Sequence, residues 1–172
     1  MNYKVKLKDI NTFIFDYDGV ISDGYIYTAN DDIIMRSGNV KDGYAIQYAI
    51  KKGYNIVIIS GGSGKSIETR MRMLGVRDVF ISAGNKLEIY YKYCKEHNLE
   101  RKNILYMGDD IPDYDIMQNV GVATCPADAA CEIKQIADYI SDKKGGQGCV
   151  RDIVEQVLKL HNKWFNEDSK EW

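Results

Sequence analysis

Phe13-Ile14-Phe15-Asp16-Tyr17-Asp18-Gly19-Val20 is an apolar run that stops at two carboxylates one residue apart. The run has the length and composition of a buried strand, and Gly19 lets the chain turn away at its end. A strand that ends in Asp-x-Asp places two acids at the carboxyl edge of a sheet, the edge at which ligands bind in open α/β sheets. Two carboxylates so close repel each other and are costly to desolvate, so the pair points to a bound cation.

Further apolar runs follow, separated by segments of helical period. Residues 25–27 and 33–35 flank the polar turn Thr28-Ala29-Asn30-Asp31-Asp32 and predict a hairpin. Strands are expected at 55–60, 79–81, 103–108, 121–124 and 139–140, and helices at 42–52, 65–74, 85–97, 113–119, 127–136 and 150–163. Gly53 and Gly75 stand where helix-ending glycines belong. Strands alternating with helices imply a Rossmann-like parallel sheet flanked by helices, with right-handed crossovers. Residues 1–165 read as one domain with a small flap hairpin at 22–37, and 166–172 as a loose polar tail.

A chain of 172 residues, 45% hydrophobic and 28% charged, suffices for one full core. The formal charge of −2 offers no basic excess for nucleic acid. No run approaches transmembrane length, and Met1-Asn2-Tyr3-Lys4-Val5-Lys6 leads into no signal peptide. Cys94, Cys125, Cys131 and Cys149 form no C-x-x-C pair and read as reduced thiols of a cytoplasmic protein. Two histidines, His97 and His161, are too few for a His-rich zinc site.

Three more chemical groups stand at or just after strand ends. Ser60-Gly61-Gly62 follows Ile56–Ile59, Lys86 opens the helix after 79–81, and Gly108-Asp109-Asp110-Ile111-Pro112-Asp113 follows Leu105-Tyr106-Met107. A parallel sheet brings these loops to one edge. The chemistry that needs such a set is phosphoryl transfer through an aspartyl-phosphate, because a carboxylate is a usable nucleophile for phosphorus. An anion then attacks an anion, so positive charge must be supplied. Mg²⁺ suits the task, with Asp16, the backbone carbonyl of Asp18 and Asp109 as ligands. Lys86 adds a fixed cation. The Ser60 hydroxyl and the Gly61 amide can hold phosphate oxygens. Asp18 can protonate the leaving oxygen and then deprotonate the attacking water.

In this order, Asp16-Tyr17-Asp18-Gly19-Val20, Ser60-Gly61, Lys86 and Gly108-Asp109-Asp110-x-x-Asp113 resemble the four motifs of the haloacid dehalogenase superfamily. The resemblance implies Asp16 as nucleophile, Asp18 as acid/base, Ser60 and Lys86 on the phosphate, and Asp109 on Mg²⁺. It also implies that Asp113 holds Lys86 or a metal-bound water, with Asp110 beside it. The segments between motifs have no room for a cap domain, so the site is expected to be open unless a neighbouring subunit supplies the lid.

From Phe13 to Asp152 the chain is similar to the 3-deoxy-D-manno-octulosonate 8-phosphate phosphatases. The shared pieces are Asp18-Gly19-Val20-x-Ser22-Asp23-Gly24, Asn39-Val40-Lys41-Asp42-Gly43-Tyr44-x-Ile46, Arg70-x-x-x-Leu74-Gly75 and Gly145-Gly146-Gln147-Gly148-Cys149-Val150-Arg151-Asp152. The resemblance implies a cytoplasmic homotetramer of lipopolysaccharide biosynthesis, whose strap, here 145–151, reaches toward a neighbour's site. Glycines there suit a mobile strap. Arg70, and Arg151 from a neighbour, are candidates for the sugar-acid carboxylate, since guanidinium–carboxylate pairing is bidentate, and Lys41 is a candidate to steer the phosphate. Lys41 stands where relatives have arginine, and Gly62 where many have arginine and some nonulosonate phosphatases have glutamate. A nine-carbon sugar-acid 9-phosphate is the nearest alternative substrate, mildly disfavoured by Gly62 in place of that glutamate. A phospho-receiver is a further alternative, set against by the internal acid/base Asp18, and a non-catalytic subunit is set against by the full complement of competent motif residues.

Overall fold

The computed structural model describes residues 2–29 and 34–170. The chain runs α1 (Tyr3–Lys6), β1 (Thr12–Phe15), β2 (Tyr27–Thr28), β3 (Ile34–Met35), α2 (Val40–Lys51), β4 (Asn55–Ile59), α3 (Lys65–Met73), β5 (Asp78–Phe80), α4 (Lys86–Glu96), β6 (Ile104–Met107), α5 (Tyr114–Met117), β7 (Val122–Cys125), α6 (Cys131–Ile136), β8 (Tyr139–Ile140) and α7 (Cys149–Leu160). The larger sheet is parallel, six-stranded and ordered β5-β4-β1-β6-β7-β8. β1 is central, with Phe13 level with Ile56 on one side and Leu105 on the other. The carboxyl ends of β1, β4 and β6 therefore meet at one edge, which is what positions the site.

Both faces of the sheet are covered, so its central strands are apolar throughout instead of alternating. Side chains still part by the two-residue period. Phe13, Phe15, Ile56, Ile58, Leu105 and Met107 enter the core beneath α2, α3 and α7. Ile14, Val57, Ile59, Ile104 and Tyr106 enter the core with Tyr90 and Tyr93 of α4, Ile116 of α5 and Ile133 of α6. On α7 the buried positions Val150, Ile153, Val154, Val157 and Leu158 form one helical stripe. Each fully buried side chain of this size contributes about 1.5–3 kcal/mol.

β2 and β3 pair antiparallel as the expected flap hairpin. Its predicted turn residues Asn30, Asp31 and Asp32 and the strand residue Ile33 lie outside the described residues, as do 1, 171 and 172. The helix expected at 127–136 begins only at Cys131. Asp128 accepts a hydrogen bond from the Gly145 amide (2.9 Å) and Ala130 donates to the Asp109 carbonyl (2.8 Å), which hold 127–130 in a turn. The helix expected at 113–119 is shortened in the same way, with a 3₁₀ turn over Ile111–Asp113 ahead of α5. α1 was unforeseen in the sequence; the Asn2 side chain caps it and the Tyr3 hydroxyl reaches Gln156 of α7.

Trp164, just before the tail, packs edge-on against Tyr44 and Tyr48 of α2. Within the tail itself, contacts to α2 are made at Asp168. Asp168 accepts from Lys52 (2.7 Å) and from the Tyr48 hydroxyl (3.1 Å).

Candidate active site

Each group at the sheet edge is held by its element. Asp16 follows β1, and its amide donates to the Met107 carbonyl of β6 at 3.0 Å. Its Oδ1 accepts from the Tyr17 amide (2.7 Å) and its Oδ2 meets Lys86 Nζ (2.9 Å). Lys86 is the first residue of α4, whose start is fixed by the Asn85 side chain accepting from the Glu88 amide. A cation at a helix N-terminus opposes the helix dipole, so Lys86 needs its carboxylate partners. The second is Asp113, at 2.6 Å. Asp113 Oδ1 also accepts from the buried Tyr106 hydroxyl (2.6 Å), and its Oδ2 accepts from the Asp109 amide (3.0 Å). Asp110 caps the 3₁₀ turn by accepting from the Ile111 amide, and Asp113 completes the reciprocal box.

Asp16, Asp109 and Asp113 each bring a carboxylate oxygen within 4.8 Å of the others. Among the described residues Lys86 is the one ammonium paired with them. Burial, then repulsion from Asp113, pushes Asp16 up to about 7 against the pull of Lys86. Burial, then Asp16 and Asp113, pushes Asp109 up to about 8. Burial draws Lys86 down, but the two aspartates outweigh it and raise it. Among the described residues the Asp109 carboxylate accepts no hydrogen bond. An excess of buried carboxylate beside a carboxylate without a donor fits a hard divalent cation, which takes oxygen ligands.

Backbone approach is close here. Gly19 has φ +80°, and a Cβ on it would fall 2.0 Å from Asp109 Oδ2. A Cβ on Gly145 would fall 2.0 Å from the Gly19 carbonyl oxygen. The strap thus lies in place against the loop after β1, with the Gly146 amide donating to the Val20 carbonyl (2.9 Å). Its glycines make room for backbone against backbone.

Ser60 is fully buried, and its hydroxyl accepts from the Gly62 amide at 3.0 Å. Asp18 lies outside the three-acid cluster. Its Oδ1 accepts from Arg36 Nε (2.7 Å) and from the Ser22 hydroxyl (3.2 Å). Together Asp16, Asp18, Ser60, Gly61, Lys86 and Asp109 line a hollow of 290 Å³. Larger hollows of 540 and 670 Å³ lie at the opposite edge of the sheet and gather no comparable acid cluster.

The haloacid dehalogenase-like hydrolase family profile matches residues 78–153. The 3-deoxy-D-manno-octulosonate 8-phosphate phosphatase KdsC of Escherichia coli strain K12 is 34% identical over 158 residues, which cover 92% of this chain and 84% of the relative. The chain belongs to the 3-deoxy-D-manno-octulosonate 8-phosphate phosphatase family. Solved structures of that family agree. The enzyme of Yersinia pestis superposes with a TM-score of 0.91 at 32% identity, over 93% of this chain and 86% of its own. The enzyme of Moraxella catarrhalis, in complex with magnesium ion, phosphate ion and KDO, superposes with a TM-score of 0.91 at 30% identity, over 95% of each chain.

Of the positions that the family resemblance singled out, three stand apart from the acid cluster within one subunit. Lys41 and Arg151 line a separate hollow of 470 Å³ at the start of α7. There Arg151 pairs with Glu155 (3.2 Å), and its guanidinium lies 5.1 Å from the centre of the Trp164 ring. Arg70 lies over Gly43, where a Cβ would fall 2.9 Å from its Nη2. Burial raises the Tyr17 phenol, and Arg70 and Arg36 stand close enough to oppose that rise. Sequence reasoning gave no role to Arg36, Ser22 or Tyr106. The first two reveal themselves only through the fold of the flap, and Tyr106 reads simply as a strand residue. No helix among the described residues is long and apolar enough to cross a membrane.

Proposed function

We propose that this chain is a Mg²⁺-dependent phosphatase that hydrolyses 3-deoxy-D-manno-octulosonate 8-phosphate to the free sugar acid and phosphate. Residues 1–165 act as one catalytic domain in the cytoplasm. The carrying observation is Lys86 bridging Asp16 and Asp113 beside Asp109. The magnesium, phosphate and KDO bound by the Moraxella catarrhalis relative support the substrate class.

Asp16 is the nucleophile. Its carboxylate forms a bond to phosphorus while the ester bond breaks, leaving an aspartyl-phosphate. Ser60 Oγ and the Gly61 amide hold the phosphate oxygens, and Lys86 balances their charge. Asp18 gives the leaving oxygen a proton and then takes one from the water that cleaves the aspartyl-phosphate. Asp16, Asp109 and the Asp18 carbonyl would hold Mg²⁺. Asp113 already takes donors on both oxygens, so it anchors Lys86. Bound Mg²⁺ offsets the repulsion between carboxylate and phosphate.

Among the described residues no cap covers this hollow, and the flap exposes Tyr25, Ile26, Tyr27, Ile34 and Met35. A homotetramer whose neighbours cover that apolar surface supplies the lid. Lys41 and Arg151 then serve the subunit boundary, and Arg70 serves the sugar acid from behind Tyr17.

Phosphate release from the eight-carbon ester and from a nine-carbon sugar-acid 9-phosphate tests the substrate. The eight-carbon ester is expected to have the higher kcat/KM, and the reverse order would overturn that assignment. Turnover that persists in excess chelator would overturn the metal's role. Sedimentation equilibrium is expected to return four subunits.

A further inference from the structure

The flap exposes its apolar residues, yet one of its side chains is nearly sealed. Arg36 follows β3, and only 7% of its side chain is exposed, whereas Ile34 and Met35 are exposed residues. Its Nε donates to Asp18 Oδ1 at 2.7 Å, and its Nη1 donates to the Ser63 carbonyl at 3.2 Å. It therefore joins the flap to the loops after β1 and β4.

The two oxygens of Asp18 are treated differently. Oδ1 takes both donors, Arg36 and the Ser22 hydroxyl. Oδ2 takes none among the described residues, and it lies over Gly62, where a Cβ would fall 2.6 Å from it. The same Cβ would stand 3.1 Å from Arg36 Nη2. Gly62 is thus the position whose missing side chain leaves room for the pair. With Oδ1 so occupied, Oδ2 is the oxygen left open to take and give a proton.

We infer that Arg36 is a positioning residue for the reaction: it occupies Asp18 Oδ1 and so presents Oδ2 as the oxygen that passes the proton to the departing alcohol. This rests on the reading of Asp18 as acid/base given above. In the step concerned, the Asp16–phosphorus bond forms and the phosphorus–oxygen ester bond breaks. The bonding pair stays on the departing oxygen, which takes the proton from Oδ2. Arg36 does not line the hollow itself and acts through Asp18.

The readout is the dependence of kcat/KM on the leaving group, because an aligned acid matters most for a poor one. Aryl phosphates of graded phenol acidity lack a sugar carboxylate, so direct recognition of the sugar does not enter. Wild-type protein with Mg²⁺ is expected to show a shallow slope of log kcat/KM against leaving-group pKa. Arg36→Met is expected to steepen it, losing about 10–100-fold on an alkyl ester, a share of what general acid catalysis supplies. Its loss on p-nitrophenyl phosphate is expected to stay under about 3-fold, since nitrophenolate departs without a proton. Arg36→Lys keeps a donor and is expected to recover most of the wild-type slope. Gly62→Ala presses on Oδ2, and on Arg36 Nη2 beside it, and is expected to steepen the slope as well. A parallel loss on all esters in Arg36→Met, or an unchanged slope in both Arg36→Met and Gly62→Ala, would overturn the inference. Failure of wild-type protein to release phosphate from any ester would instead overturn the phosphatase reading beneath it.

Discussion

Asp16 and Lys86 form a buried ion pair at the centre of the site. Asp16→Asn removes the nucleophile while keeping its shape and its acceptor for the Tyr17 amide. Phosphate release is expected to fall at least about 10³-fold, with an unchanged far-ultraviolet spectrum, as for loss of a covalent catalyst. Near-normal turnover in that variant would refute the role. Lys86→Met is expected to cost stability as well as activity. It strands Asp16 and Asp113 without their ammonium, and breaking a buried pair costs about 3–5 kcal/mol. Urea denaturation in chelator is expected to show the full loss at pH 8 and a smaller one at pH 5, where Asp16 holds a proton. An equal loss at both would mean that packing, not charge, sets it. Both residues were legible in the sequence because strand ends and helix starts are local features. Arg36 was not, since its partner Asp18 lies eighteen positions away across the flap.

Between elements, the most consequential contact joins α2 to the start of α7. Asp42 of α2 is buried, and it accepts from the Gly148 amide (3.1 Å) and the Arg151 amide (2.7 Å). It caps α7 from another helix, because Gly148 has no side chain to do so. Burial pushes its carboxyl up to about 6, against the pull of those two amides. Asp42→Ala leaves the α7 donors buried and unmet, at a cost of about 1–3 kcal/mol. Asp42→Asn keeps an acceptor and is expected to lose less, and chemical denaturation separates the two. If both variants lose equally, the cap contributes nothing beyond packing. The sequence placed α2 and α7 correctly from their apolar periods, but it left their partnership open. It also read 127–136 as continuous helix, since nothing local announces that Asp128 is engaged by Gly145.

Taken as one body, the folded chain stores electrostatic repulsion at its site. Asp16 and Asp109 keep their protons up to about 7 and about 8. The unfolded chain has lost them by about pH 4. The folded state therefore binds more protons between those limits, and its stability falls as pH rises through that window. A divalent cation at the site competes with those protons and reverses the loss. In chelator the melting temperature is expected to drop from pH 5.5 to pH 8.5. Mg²⁺ is expected to raise it more at pH 8.5 than at pH 5.5, by mass action on the folded form. A Mg²⁺ shift independent of pH would place the ion away from these acids.

Apolar runs that end in Asp-x-Asp-Gly, Ser-Gly and Gly-Asp-Asp were enough to foresee the parallel sheet, the edge at which the chemistry gathers and the acids and lysine that meet there. Strand burial and strand-end placement are written in consecutive residues, which is why they could be read. The grip of Arg36 on Asp18, the stacking of Gly145 on Gly19 and of Gly19 on Asp109, and the separation of Lys41 and Arg151 from the acids emerged only on folding. Each depends on how closely segments far apart in the chain approach one another, and no local pattern of residue types encodes that distance.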